Sequence, residues 1–274
     1  TAAQKTISDA GVIVLAGIET INVVSGGTGF LDNHITITGA NARNVALSGD
    51  QDLTVDFSSN FGGSTAATST NGLGIATIDG SAMTGKLTIN TTNVLEAFAT
   101  TTIKGGSNID AITLSALGGK AVVDAGAGAD TITTSTGQAS LTLGAGADTV
   151  NVGSSVVDTL SNPPTIAEVT GRMITITDFA VRDRIDFSTG TPTAYGLGDA
   201  TSVGSSATLL AALNAINAAT PQVAWGVYAG DTYVIWDASG TTGDVAAGDI
   251  VVKLVGIHNL SNSSISATDQ LIYA

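Results

Sequence analysis

The sequence contains no cysteine, so neither a disulfide framework nor a thiolate metal site holds it together. Its stability must come from packing or from hard cations. Only 2 histidines occur, His34 and His258, too few for a histidine-rich zinc centre, and no H-E-x-x-H or G-x-S-x-G signature is present. No zinc protease or serine hydrolase module is expected, and the chain reads as non-enzymatic. Charge is scarce: 12% of residues against ~25% in ordinary domains. Nine Lys+Arg face 23 Asp+Glu, a net charge of −14, which argues against nucleic acid and anionic lipid and suits divalent cations. No apolar run approaches the ~18 residues of a membrane span, so membrane insertion is not expected. No N-terminal signal peptide is found, and the chain, opening at Thr1, reads as a fragment or a processed product.

What the sequence has in quantity is glycine, 34 of 274 residues, and apolar residues, 43%. A disordered acidic chain would be poor in the latter, so this one should fold. Short runs alternate Thr with Ile, Val or Leu: Ile35–Thr38, Leu53–Val55, Leu87–Ile89, Thr131–Thr133, Leu141–Leu143. Each predicts a strand of three to five residues with period two, punctuated by Gly, Asn or Asp. Many short strands at close spacing suit an all-β solenoid or sandwich. One helical period occurs at 208–219, with Leu209, Leu213 and Ile216 on one stripe, Ser206 as a candidate N-cap and Pro221 beyond the end. The organisation falls into three sections: loosely repeated strands over 1–100, a tighter Gly/Asp repeat over 101–160, and longer strands with both Trp and the helix over 161–274.

Internal repetition is the sharpest signal. Gly105–Thr113, Ala125–Thr133 and Leu143–Asn151 align as x-G-x-G/N-x-D-x-U-x, the first place being Gly, Ala and Leu in turn and U a β-branched aliphatic residue. Glycines at the second and fourth places allow φ > 0, turn the chain tightly and expose carbonyl oxygens. The last three residues form a minimal strand with its central Ile or Val inward. Two such half-turns make an 18-residue coil, so Asp130 and Asp148, 18 residues apart, should stack on one edge of neighbouring coils. Stacked carboxylates repel unless a cation lies between them. Ca²⁺ takes six to eight oxygens at about 2.3–2.6 Å, and paired turns offer carbonyls and carboxylates in that range. The candidate ligand positions are Gly105, Asn108, Asp110, Gly126, Gly128, Asp130, Gly144, Gly146 and Asp148. Gly26–Asp32 carries the same motif with one extra residue, which adds Asp32. Gly137-Gln138-Ala139 stands where glycine-x-aspartate would belong on the opposite edge, so calcium is expected along one edge. Asp124 is left open between ligand and solvated turn residue. Gly49–Asp52 and Ile78-Asp79-Gly80 are read as acidic turns between strands.

The nonapeptides resemble those of repeats-in-toxin proteins, whose repeats form a calcium-binding parallel β-roll. Met173–Phe179 followed by Arg182–Ser188, and later Thr232–Gly240 and Ile250–Ile257, are similar to the stretch that follows the repeats in that family. The Thr/Ala/Gly ladders of 1–100 resemble strand repeats of surface-layer proteins. The resemblance implies a parallel β-roll with calcium-binding turns and a β-rich C-terminal cap containing one short helix. It also implies secretion by the type I machinery of a Gram-negative bacterium, with an export signal resembling Asp269–Ala274, and a place on the cell surface beside other copies of the chain. The expected function is a structural, calcium-dependent surface-layer fragment. The alternatives are the export and folding module of a secreted protease or lipase, or an adhesin.

Two further motifs are discounted. Gly80–Lys86 matches the start of a phosphate-binding loop, but Leu87 replaces the Mg²⁺-holding Ser/Thr, and a hairpin or solenoid turn is expected instead. Trp225, Tyr228, Tyr233 and Trp236 are read as core rather than a sugar-stacking platform.

Overall fold

The computed structural model describes residues 10–14, 18–27, 32–38, 43–57, 76–91, 100–114, 120–135, 137–152, 165–187, 197–199, 201–219, 222–238, 240, 243–246, 248–266 and 270–274. Within them the alternating Thr/aliphatic runs form strands. The first half holds β1 (Ala10–Val14), β2 (Thr20–Ser25), β3 (Asn33–Thr38), β4 (Asn44–Gly49), β5 (Leu53–Phe57), β6 (Thr77–Met83) and β7 (Leu87–Asn90). The repeat section holds β8 (Thr100–Lys104), β9 (Ala111–Thr113), β10 (Lys120–Asp124), β11 (Thr131–Thr133), β12 (Ala139–Thr142) and β13 (Thr149–Asn151). Then follow helix α1 (Ile166–Thr170), β14 (Ile174–Ile176), β15 (Arg184–Asp186), β16 (Leu197–Asp199), helix α2 (Leu209–Asn217), β17 (Val223–Tyr228), β18 (Asp231–Trp236), β19 (Ile250–Leu254), β20 (Ser264–Ile265) and β21 (Gln270–Ile272).

Successive strands alternate between two sheets. Odd strands β1 to β15 stack in parallel in one, even strands β2 to β14 in the other. This is the parallel β-roll expected from the repeat. The sheets run on across position 100, where β6 pairs with β8 and β7 with β9, and across 160, where β12 pairs with β14 and β13 with β15.

Period two explains why the roll closes. In β5, Leu53, Val55 and Phe57 are buried while Thr54 and Asp56 are half-exposed. Registered pairing then lines the buried residues up coil by coil: Val55, Ile89, Ile112, Ile132, Val150 and Ile185 form one row on the first sheet. Val45, Ile78, Ile103, Val123, Leu141 and Ile176 form its counterpart on the second. Each such side chain contributes roughly 1.5–3 kcal/mol on burial, so each coil adds its own increment to one continuous core.

At the C-terminal end the pattern changes. β19 pairs with β14 in parallel, β18 and β17 follow antiparallel, and β16 forms the edge. In the other sheet β21 runs antiparallel to β15 and β20 to β21. Trp225 and Trp236 are buried in the roll's core, Trp236 with its ring 5.1 Å from that of Phe187. On the outer face Ala212, Leu213 and Ile216 of α2 pack with Tyr233, Ile235 and Val251. Tyr228 is half-buried beside them.

Three expectations need correction. The N-cap of α2 is Thr208, whose side chain accepts from the Ala211 N–H, and not Ser206. A second helix exists, α1, opened by a capping box in which Thr165 and Glu168 satisfy each other's backbone N–H groups. Ile78-Asp79-Gly80 is no turn: it lies inside β6, with Ile78 buried and Asp79 outward, 3.4 Å from Lys104 Nζ. Gly80–Lys86 is the end of β6 and the turn into β7, a solenoid turn because those two strands belong to different sheets.

Candidate metal centre

All the turns that carry the aspartate motif fall on one edge of the roll, where the chain leaves the second sheet for the first. The repeats stack there because registered strands bring them there. Thr131 pairs with Thr149 and with Ala111, and Thr149 pairs with Arg184, so the residues just before them, Asp110, Asp130, Asp148 and Asp183, form a column. Each is only 1% exposed. The same column in earlier coils holds no carboxylate: Leu87 and Leu53 occupy it, both buried, and the polar but uncharged Asn33 precedes them.

The column is wired by its own backbone. The Asp110 N–H donates to Asp130 Oδ1 at 2.7 Å, the Asp130 N–H to Asp148 Oδ1 at 2.7 Å, and the Asp148 N–H to Asp183 Oδ1 at 3.1 Å. At one end both oxygens of Asp110 are satisfied, by the Leu87 N–H (2.8 Å) and the Gly106 N–H (2.5 Å). At the other, Asp183 Oδ2 accepts from the Ala180 N–H at 2.8 Å. The two middle members differ. Asp130 Oδ2 and Asp148 Oδ2 are buried and have no hydrogen-bond partner.

An unpartnered buried carboxylate oxygen is costly, and two in one column are more so because their charges repel. At the ~4.8 Å spacing of neighbouring coils the repulsion is of order 3 kcal/mol per pair at an effective dielectric of ~20. Burial, assisted by the charges of Asp110 and Asp148, pushes the Asp130 carboxyl up to about 7, although the hydrogen bond from the Asp110 N–H opposes it. Burial, with the charges of Asp183 and Asp178, pushes Asp148 up to about 6. Asp110 and Asp183 are raised as well, by burial first.

Glycine is required here chiefly by contact. A Cβ on Gly146 would lie 1.5 Å from the Gly128 carbonyl oxygen, and one on Gly128 would lie 2.4 Å from the Asn108 carbonyl oxygen. The same Cβ atoms would stand 3.1 Å and 2.9 Å from Asp148 Oδ1 and Asp130 Oδ1, inside the space the carboxylates occupy. Gly126, Gly128 and Gly144 have positive φ as the motif predicts, whereas Gly105, Gly106 and Gly146 do not. Gly105 packs instead on the Ala125 carbonyl, 2.1 Å from a would-be Cβ.

Two predicted positions lie apart from the column. The Asn108 side chain is exposed, its amide donating to the Thr84 carbonyl and its oxygen accepting from the Ile109 N–H. Asp32 is exposed and precedes Asn33, so it is level with Asp52 and Lys86 and not with Asp110. The register of β3 gives the column position to Asn33, one residue later. Asp124 ends β10, exposed, in register with Lys104 and Thr142. On the opposite edge Gln138 donates to the Thr170 carbonyl.

The structure brings two aspartates to the centre that the repeat alone did not. Asp183 completes the column, and Asp178 accepts from both the Leu143 and Gly144 N–H groups at 2.8 Å, closing the last turn. They lie 35 and 34 residues from their partners because the 152–173 connection interrupts the 18-residue period. Their spacing after Thr177 is the signal that marks them. Asp186, by contrast, faces outward and accepts from Gln270.

The donor set fits a hard cation in being oxygen throughout, with two buried oxygens free to bind and glycines leaving the space clear. Among the described residues no three acidic, histidine or cysteine side chains converge as a ready-made ligand group. A cation here would therefore draw on Asp130 and Asp148 together with turn carbonyls between 126 and 147. Compared with known proteins, the chain matches no protein-family model and no curated sequence.

Proposed function

We propose that this chain is a non-catalytic structural segment of a secreted, calcium-dependent β-roll protein of the surface-layer kind. Its buried aspartate column would be clamped by Ca²⁺ held through Asp130, Asp148 and neighbouring carbonyls. The observation that carries the reading is the pair of buried, unpartnered oxygens, Asp130 Oδ2 and Asp148 Oδ2, in adjacent coils. Bound Ca²⁺ supplies positive charge where the column lacks it. The rest is done by the chain: N–H groups of Asp110 and Asp130 orient the carboxylates, and glycines keep the coils close. Folding is thereby linked to calcium concentration, low inside a cell and high outside, which suits a protein exported unfolded by the type I machinery and ordered at the cell surface.

Adding millimolar calcium to the purified, chelator-treated chain tests this. Circular dichroism should show a gain in β content and a higher melting temperature, and electron microscopy should show ordered sheets of self-associated copies. Spectra and melting unchanged by calcium would overturn the folding role. A calcium-stabilised chain that never forms sheets would replace the surface-layer reading with that of an export and folding module.

A further inference from the structure

The four carboxylates of the column are not equivalent. Asp110 gives one oxygen to the Leu87 N–H and the other to the Gly106 N–H. Asp183 gives one to the Asp148 N–H and the other to the Ala180 N–H. Both end members are therefore occupied by backbone. Asp130 and Asp148 each give Oδ1 to the N–H of the preceding coil, at 2.7 Å in both cases, and keep Oδ2 buried and unpartnered. Of the intervals between neighbouring carboxylates, only that from Asp130 to Asp148 has a free oxygen on each side.

The sheet sets the width of that interval. Thr131 pairs with Thr149, so the aspartates just before them hold equivalent places in adjacent coils. Their matching hydrogen bonds orient the two carboxylates alike, and equivalent oxygens then repeat at the strand spacing of ~4.8 Å. An ion midway between them would lie ~2.4 Å from each, within calcium's range of about 2.3–2.6 Å and beyond magnesium's of about 2.0–2.1 Å. The coils have no slack with which to suit the smaller ion. The bond from the Asp130 N–H to Asp148 Oδ1 is already 2.7 Å, and Gly146 lies so near the Gly128 carbonyl that a Cβ would stand 1.5 Å from its oxygen.

We infer that the column takes one tightly held cation, bridging the coils of Asp130 and Asp148, and that coil spacing selects calcium over magnesium there. Asp110 and Asp183 are positioning residues: their carboxylates fasten the neighbouring turns and close the array at its two ends. The aspartate of the first nonapeptide is thus a staple and not a ligand. This inference deepens the calcium reading and rests on it.

Isothermal titration calorimetry of the chelator-treated full chain, with calcium and separately with magnesium, tests it alongside melting curves in each salt. One calcium per chain should bind in the tightest class of sites. Magnesium at the same concentration should give neither that binding nor a rise in melting temperature. Asp148→Asn, which removes one side of the bridge, should lose the calcium-induced rise. Asp110→Asn keeps the N–H that orients Asp130 but offers one acceptor to two N–H groups. It should melt lower in chelator and still show the calcium-induced rise and a stoichiometry of one. Two or more calcium ions bound equally tightly, magnesium matching calcium, or loss of the calcium-induced rise in a folded Asp110→Asn chain overturns the inference and leaves the calcium reading standing. Absence of both heat and melting shift with calcium overturns the two together. If Asp110→Asn does not fold, the wild-type stoichiometry and the magnesium comparison decide.

Discussion

At Asp130 one carboxylate oxygen holds the preceding coil through its N–H and the other faces no partner. That division gives substitutions there an unusual sign. Asp130→Asn keeps an oxygen acceptor and removes a repelling charge. In chelator at neutral pH it should therefore raise stability, by about 2 kcal/mol, while abolishing most of the stabilisation that calcium gives the wild type. Melting curves of both proteins in calcium and in chelator check this, and a variant less stable than wild type in chelator would contradict it. Asp244→Ala should leave calcium stabilisation intact, since Asp244 is exposed and bonded to Asn214 far from the column. The pH dependence follows from the same groups. Unfolded carboxyls ionise near 3.8, whereas Asp130 and Asp148 in the folded, metal-free chain ionise at about 7 and about 6. Between those limits the folded state holds more protons than the unfolded one, so stability falls as pH rises from about 4 to about 7. A melting temperature that climbs across that window in chelator would show that the column is not buried as described. At this scale the sequence made Asp110, Asp130 and Asp148 readable, because a fixed period needs no three-dimensional information. Asp183 was hidden by the long connection, and Asp32 misled because the column is set by the register of the strand that follows, which puts Asn33 there instead.

Among the elements, turns and strands are bound by contact between coils more than by local preference. Gly146 has an ordinary φ, yet a Cβ there would strike the Gly128 carbonyl; Gly230 has φ +90° but open space around it. Gly146→Ala should thus destabilise the chain by roughly 3 kcal/mol or more, and Gly230→Ala by only about 1–2 kcal/mol of backbone strain. Denaturant unfolding of the two variants decides, and equal losses would mean that conformation, not stacking, fixes the glycines. Strands were legible from period two, and the β-branched row from Val55 to Ile185 needed nothing else. Helix α1 was missed although Thr165 and Glu168 spell its capping box, because five residues are too few to show a helical period. Ile78-Asp79-Gly80 was misread since glycine and aspartate signal a turn locally, whereas the pairing of β6 with β4 and β8 holds them extended.

For the whole molecule, the continuity of the sheets from β1 to β15 means that the apolar coils and the aspartate coils form one stack. This could not be read from composition, because the first 100 residues lack the Gly/Asp period and share only their strand register with the rest. Order in the aspartate coils is therefore linked to order in their neighbours, and a charge left uncompensated in the column should be felt along the roll. The most direct test is a crystal of the chain grown in calcium, examined by anomalous scattering at the edge of the roll. The account predicts a strong peak within bonding distance of Asp130 Oδ2 or Asp148 Oδ2, with turn carbonyls completing its shell. Electron density showing those two oxygens facing only protein or water would contradict it.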